Sequence, residues 1–402
     1  MKISGIIAEY NPFHAGHAYQ IAEIRKQGVT HVAAVMSGHF MQRGDIAVCS
    51  KWSRAKAALL NGVDLVIELP VTFSLAPAKR FACGGVYILD AMGCIDQISF
   101  SAETPKISLL KSACEAAESE EISMRLREYL AEGMTFAAAR SRAAGDLFGT
   151  EISEVLQMPN NILAVEYLSA LKRLNSHILP FCVRRTAEHD GESESSLNGR
   201  QYLSASKIRE YLKHGRMDDV RAYMPKSALD CLLEENRLGW MPCDINTLET
   251  VLLANLRAMS REEIARLPDV GEGLENRIYA AVRQAISMEQ LQQLIKTKRY
   301  PLARIRRILL CALIGIKSDE LADAPAYIRV LGFNTKGCEI LRVMRESARL
   351  PIVMKAADAG NLSDKAKNQF AAEALATDIY ALSFPEKRPC GLEMTENIIR
   401  FI

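Results

Sequence analysis

The first hundred residues alternate between two periodicities, and that alternation limits the fold more than any other feature of the chain. KISGIIAEY, HVAAVMS, VDLVIELP and DQISFSAE are apolar runs of strand length. Between them lie HAGHAYQIAEIRKQG, SKWSRAKAALLNG and AKRFACGGVYILDAMG, whose apolar spacing is helical. Each of these helices is predicted to close on a glycine, at Gly28, Gly62 and Gly93, because glycine enters the left-handed conformation after a last helical turn without steric cost. Strands joined by helical crossovers give a parallel sheet, and such sheets bind ligands at the carboxyl ends of their strands.

Further along, residues 107–175 read as amphipathic helices broken by GDLFGT and by PNN at 159–161. ILPFCVRRT (178–186) adds a short strand, and EHDGESESSLNG (188–199) reads as a polar, turn-rich loop. A helix then begins within YLSASKIREYLKHG, capped by Ser204 or Ser206. From 216 to 402 the strand signal almost vanishes, and apolar spacings of three and four recur in LETVLLANLRAM, EQLQQLI, RIRRILLCALIGI and GCEILRVMRESARL. The predicted fold is therefore α/β: a Rossmann-like parallel-sheet domain over 1–215, then a mainly α-helical domain over 216–402.

With 402 residues, 49% of them apolar and 24% charged, the chain can bury two or three cores. A net charge of +2 argues against a uniformly basic nucleic-acid binder but leaves room for a local basic surface. The ten cysteines include no CxxC pair and sit in apolar context, so they are expected to be reduced core residues rather than disulfides or a metal cluster. No apolar run reaches the roughly 18 residues of a membrane span, and the first strand is not preceded by a basic segment with a cleavage site. A cytoplasmic protein without a membrane partner is expected.

Two of the seven histidines stand at the end of the first strand, in GIIAEYNPFHAGH. A helix that starts there offers unpaired N–H groups and a positive dipole end, which together attract an anion. Gly16 in the first turn lets a phosphate approach, His14 and His17 share one side, and Asn11-Pro12 sets the turn that delivers them. Two imidazoles donating hydrogen bonds suit the charge that builds on an α-phosphate and a departing pyrophosphate. An exposed helix start without a role is the alternative; zinc is disfavoured because a third ligand is missing.

Other charged stretches have two readings each. MSGHFMQRGD (36–45), with Ser37, Gly38, Gln42, Arg43 and Gly44, either contacts substrate or is a solvated loop. Lys51, Arg54 and Lys56 are read as facing water. Glu68 either lines the pocket or caps a helix. Residues 296–349 hold twelve Lys or Arg against five acids, a net +7, as a phosphate-binding surface would; the chief candidates are Lys298, Arg299, Arg306 and Arg307. LPDVGEGLENRI (267–278) resembles a helix-hairpin-helix turn that grips a sugar-phosphate chain, although Glu272 and Glu275 disfavour it.

HxGH in this position resembles the signature of the nucleotidylyltransferase superfamily, and SASKIRE (204–210) resembles the helix start that holds the leaving pyrophosphate there, with Ser204, Ser206, Lys207 and Arg209. Longer stretches resemble the bacterial tRNA-Met cytidine acetate ligase family: IIAEYNPFHAGH, MSGHFMQRGDIAVCSKWSRAKAALLNGVDLVIELP, FSAE, PNNILAVEYLSAL, KRYPLARIRRILLCALIGI and LGFNTKG. The resemblance covers most of the chain. It implies an enzyme that uses ATP and acetate to make acetyl-adenylate, with Mg²⁺ sharing the phosphate charge, and that acetylates N4 of the wobble cytidine of elongator tRNA-Met; no stable protein partner is implied.

The resemblance also implies site residues. His14, His17, Ser204 and Arg209 would be catalytic. The nucleotide would be held by Ile7, Ala8, Glu9, Tyr10, Asn11, Pro12, Phe13, His14, Ala15, Gly16, His17, Ala18, Tyr19 and Gln20, by Ser101 and Asn160, and by Arg184 or Arg185. Two departures stand out: Ser101 replaces the glycine of the family's FGSE motif, and the usual Tyr-His-Asp after the arginine is reduced to EHD at 188–190. An adenylyltransferase for a small metabolite and a non-catalytic RNA-binding protein on the same fold are the competing readings.

Overall fold

The structure is a computed structural model and describes residues 1–185, 195–197 and 200–402. Its first five long strands are β1 (Ile3–Ala8), β2 (His31–Ser37), β3 (Leu65–Leu69), β4 (Gln97–Ala102) and β5 (Leu179–Arg184). They lie in the order β3-β2-β1-β4-β5, all neighbours parallel. The crossovers contain α1 (Ala15–Lys26), α2 (Lys51–Leu60), α3 (Ala78–Ala91) and, last before β5, α4 (Pro159–Arg173). The predicted glycines take positive φ: 75° at Gly28, 101° at Gly62 and 70° at Gly93.

Alternate strand residues serve different cores, because side chains leave a strand on alternating faces. Ile3, Ile7, Ala33, Val35, Leu65 and Ile67 pack with α3 and α4, whereas Ile6, Val32, Ala34 and Val66 pack with α1 and α2. Burial on both faces is why these strands read as unbroken apolar runs. The crossover direction reverses between β1 and β4, so a crevice opens at their carboxyl ends.

The C-terminal part is mostly helical, but the expectation that its strand signal vanishes is corrected. β6 (Ile328–Asn334) runs antiparallel beside β3, and β7 (Ile352–Val353) and β8 (Ile399–Phe401) pair with β6, extending the same sheet to eight strands among the described residues. Hydropathy hid β6 because IRVLGFN contains a buried arginine and a glycine. PNN marks a helix boundary as expected: one helix ends at Val155, and Pro159 occupies the first turn of α4, where its missing N–H costs nothing. Of the polar loop at 188–199, residues 188–194, 198 and 199 lie outside the described residues, while Ser195–Leu197 pairs antiparallel with Arg200–Tyr202.

The two parts of the chain meet around a buried ammonium. Lys51, on the first turn of α2, has Nζ 2.6 Å from Glu68 Oε1, 2.5 Å from Glu393 Oε2 and 4.0 Å from Glu373 Oε1, and all four side chains are at most 2% exposed. Arg329 of β6 adds a second cation 3.4 Å from Glu393. Burial, then the neighbouring Glu68, pushes the Glu373 carboxyl far above its usual range, and burial raises Glu68 as well. Lys51 and Arg54 thus do not face water, and Glu68 neither lines the cleft nor caps a helix; only Lys56, paired with Glu234, sits at the surface as read.

Removing one member of such a cluster leaves uncompensated buried charge, which typically costs about 3–5 kcal/mol. Lys51→Met is expected to lower the unfolding free energy by that order in denaturant titration, and Lys56→Met by less than about 0.5 kcal/mol.

Candidate functional site

A cleft of about 400 Å³ lies at the carboxyl ends of β1 and β4. The end of β1, the start of α1, the 42–43 turn, the first turns of α3 and α4, the end of β5 and the start of α5 (Ala205–Lys213) form its walls.

His14 is the N-cap of α1 and His17 its third residue, and the two rings close a reciprocal capping box. Gly16 N donates to His14 Nδ1 at 3.0 Å, and His14 N donates to His17 Nδ1 at 3.1 Å. An Nδ1 that accepts from a backbone amide must carry its proton on Nε2, so capping fixes the tautomer of both rings. The rings stack with centroids 3.7 Å apart. The expectation of unpaired first-turn amides is thereby corrected at three positions: the N–H groups of His14 and Gly16 are taken up by imidazole and that of His17 by the His14 carbonyl at 3.0 Å, leaving each ring its Nε2–H as a donor.

Burial, then the charges of Arg185 and Arg209, lowers the His14 pKa to about 3; burial, His14 and Arg185 hold His17 well below its ordinary value. Both rings are therefore neutral donors at neutral pH. Tyr10, with φ of 47°, and Phe13 are 1% exposed and pack against His17, fixing the approach to the helix. Asn11 ties this turn to the neighbouring segment, its Oδ1 accepting from Val48 N at 2.9 Å.

α5 begins opposite. Ser204 is its N-cap, accepting from Lys207 N at 3.3 Å, and Ser206 lies in the first turn. Arg209 donates to the Asn11 carbonyl at 2.8 Å, which brings the SxxxIR helix against the HxGH turn. Lys207 pairs with Glu210 and does not line the cleft.

At the other wall, Asn160 Nδ2 donates to Glu103 Oε1 at 2.6 Å and Arg185 Nη1 donates to Asn160 Oδ1 at 3.1 Å. Asn161 is fully buried and holds Thr104 N, so of the adjacent asparagines only Asn160 reaches the cleft. Arg184 and Arg185 both line it; Arg185 is the one whose charge reaches the histidines. Ser101 stands in regular register opposite Val183 and lines the cleft. Of residues 7–20, Pro12, Phe13, Ala15 and Ala18 do not line it.

Glu103, Phe81 and Tyr167 escaped the sequence reading. Glu103 ends the FSAE stretch and anchors Asn160; an acid directly after a strand was its only signal. Phe81 and Tyr167 are buried aromatics that line the cleft at helix positions indistinguishable by pattern from core.

The 36–45 segment is not a solvated loop. Ser37, Gly38 and His39 are buried, Arg54 donates to the carbonyls of Glu9, Ser37 and Gly38, and Gln42 and Arg43 line the cleft. Nor do all the basic residues of 296–349 form one surface. Lys298, Arg299 and Arg306 are exposed, but Arg307 is 9% exposed and paired with Asp269 at 3.1 Å, while Arg329 and Arg349 are paired with Glu393 and Asp90. The 267–278 turn serves this interior packing, Asp269 O accepting from Arg304. No group of three or more His, Cys, Asp or Glu able to hold a metal occurs among the described residues.

A parallel-sheet crevice with paired neutral imidazoles on a helix start defines a nucleotidyl transferase site, and the chain belongs to the HIGH Nucleotidyl Transferase family, whose sequence model matches residues 1–393. Within it, the chain falls in the tRNA(Met) cytidine acetate ligase family of enzymes. It is 38% identical to the tRNA(Met) cytidine acetate ligase of Acetivibrio thermocellus, over 99% of this chain and 100% of the relative, and 38% identical to that of a Thermoanaerobacter species, over 100% of both. A crystal structure of Thermotoga maritima TmcAL bound with alpha-thio ATP superposes with a TM-score of 0.92 at 32% identity over 100% of both chains. The apo form of that protein gives 0.93.

Depressed histidine pKa values link the site to stability. An unfolded imidazole takes its proton near 6.5, whereas His14 in the fold does so near 3. Between these values the unfolded chain binds more protons, so stability that is complete above pH 6.5 is lost as pH falls, by up to about 1.4 kcal/mol per pH unit per ring. Replacing both rings by asparagine is expected to flatten the fall in unfolding free energy between pH 7 and pH 4.5; His39, buried likewise, keeps its share in both proteins.

Proposed function

We propose that this chain activates acetate with ATP and acetylates N4 of the wobble cytidine of elongator tRNA-Met. A carboxylate oxygen of acetate attacks the α-phosphorus, the bond to pyrophosphate breaks, and acetyl-adenylate forms. The cytosine amine then attacks the acyl carbon, AMP leaves and the amine loses a proton. The names of the full-length relatives support the substrate, and the alpha-thio ATP of the Thermotoga maritima structure supports the nucleotide.

The observation that carries the reading is the capping box that leaves both Nε2–H groups of His14 and His17 as donors in a cleft shared with Arg185 and Arg209. Donors held in place before reaction need no reorganisation as charge grows on the α-phosphate. Ser204, Ser206 and Arg209 at the start of α5 suit the departing pyrophosphate. Ser101, Asn160 and Arg185 would hold the nucleoside, with Glu103 orienting Asn160. Ile7, Ala8, Glu9, Tyr10, Asn11, Gly16, Tyr19 and Gln20 complete the wall.

The cleft carboxylate Glu9 is engaged with Gln42 N, and Glu103, which does not line the cleft, is engaged with Asn160. These residues do not form a magnesium cage, so the ion would arrive as part of the MgATP substrate, and no step is assigned to it. The tRNA would meet the helical part of 216–402 at Lys298, Arg299 and Arg306. Among the described residues no helix is long and apolar enough to cross a membrane.

Acetate-dependent ATP–pyrophosphate exchange tests the first step, and nucleoside mass spectrometry of tRNA-Met the second. Exchange with acetate and an N4-acetylcytidine product are expected. Exchange only with another acid would favour a metabolite adenylyltransferase, and none with any acid an RNA-binding protein. His17→Asn is expected to lower kcat for exchange by about 10²–10³-fold, the scale of losing one oriented donor.

A further inference from the structure

The 42–44 turn, which brings Gln42 and Arg43 into the cleft, is the tip of a small hairpin pairing Phe40–Met41 with Asp45–Ile46. It is held from two sides. From the cleft, Glu9 Oε1 accepts from Gln42 N at 2.8 Å. From behind, Arg307 on α6 (Leu302–Ile314) donates from Nη1 to Gln42 O at 3.4 Å, while its Nε and Nη2 lie 3.2 and 3.1 Å from Asp269 Oδ2. The turn also closes against α6 at Gly44, whose φ is +75° and where a Cβ would lie 2.5 Å from Arg306 Cβ and 2.7 Å from Arg307 N. A side chain there meets both an unfavourable backbone conformation and the body of the helix.

We infer that Arg307 is a positioning residue of the activation step: with Asp269 it clamps the 42–44 turn, so that the helical part of the chain sets one wall of the cleft. The inference rests on the proposed ligase reading for its assay and reassigns Arg307 from a tRNA contact to an internal brace. A planar guanidinium makes both sets of bonds at once; an ammonium cannot span them in the same geometry. The neighbouring Arg306 meets the turn only through its backbone and Cβ; its exposed side chain donates from Nε to Gln292 Oε1 at 3.3 Å and remains with the surface candidates.

The test is a double-mutant cycle of Arg307→Lys and Gly44→Ala, which disturb the one contact between the turn and α6, the first from the helix and the second from the turn. In acetate-dependent ATP–pyrophosphate exchange, each is expected to raise the KM for ATP or acetate about tenfold, with kcat within about threefold, since a wall displaced by a fraction of an ångström weakens seating. The double variant is expected to match the worse single one, because both act through one turn. A purely structural loss would lower the active fraction, hence kcat, at unchanged KM; that outcome, or losses that multiply to about a hundredfold, overturns the clamp. If the wild-type chain exchanges nothing with acetate, the functional reading fails while the clamp is still tested by calorimetric titration with alpha-thio ATP. There a tenfold weaker Kd in both variants supports it, and an unchanged Kd overturns it.

Discussion

A single ammonium in a dry interior sets the architecture. Lys51 cannot leave its carboxylates without stranding charge in a medium that solvates it poorly, and those carboxylates come from β3, the helix at Asp364–Ala381 and the short turn at Leu392–Thr395. The sheet and the C-terminal helices are thereby fixed to one another at a point just behind the 36–45 segment. Gly38 shows how tight the junction is: a Cβ there would lie 2.6 Å from Glu68 Oε1 and 2.8 Å from Glu373 Oε1. Arg54, bonded to the carbonyls on either side, completes the rigid floor from which the hairpin reaches the cleft.

The cleft applies a similar logic to catalysis. Two half-buried histidines beside two arginines stay neutral, and because their Nδ1 atoms cap a helix, their remaining protons sit on Nε2. A charged imidazole would bind phosphate more strongly in the ground state, but a neutral, oriented N–H stabilises the charge that appears only as the reaction proceeds. Positive charge is supplied instead by Arg185 and Arg209. The same arrangement that shapes the site thus costs the fold stability in acid.

The C-terminal part has two kinds of basic residue. Some, such as Arg307 and Arg329, are spent on internal ion pairs; others, such as Lys298, Arg299, Arg306 and Arg349, are exposed. A charge count along the chain cannot separate them, since a buried pair and a surface pair contribute equally to it. The distinction matters for RNA, because only exposed cations release counterions on meeting a phosphate backbone.

By itself the sequence determined the parallel sheet, its crossovers, the HxGH turn after β1 and the Ser204 cap, since these depend on local periodicity and on residues whose backbone preferences act within a few positions. Through the family resemblance it also pointed to Asn160, Ser101 and Arg184 or Arg185, all of which line the cleft. Only the tertiary structure decided that β6 joins the sheet, that Lys51 is buried and that Arg307 braces the 42–44 turn. Each of these turns on a partner distant in sequence: Glu393 lies 342 residues from Lys51, and Gln42 lies 265 from Arg307. Burial of a charge becomes favourable only when such a partner arrives, and no local pattern encodes its arrival.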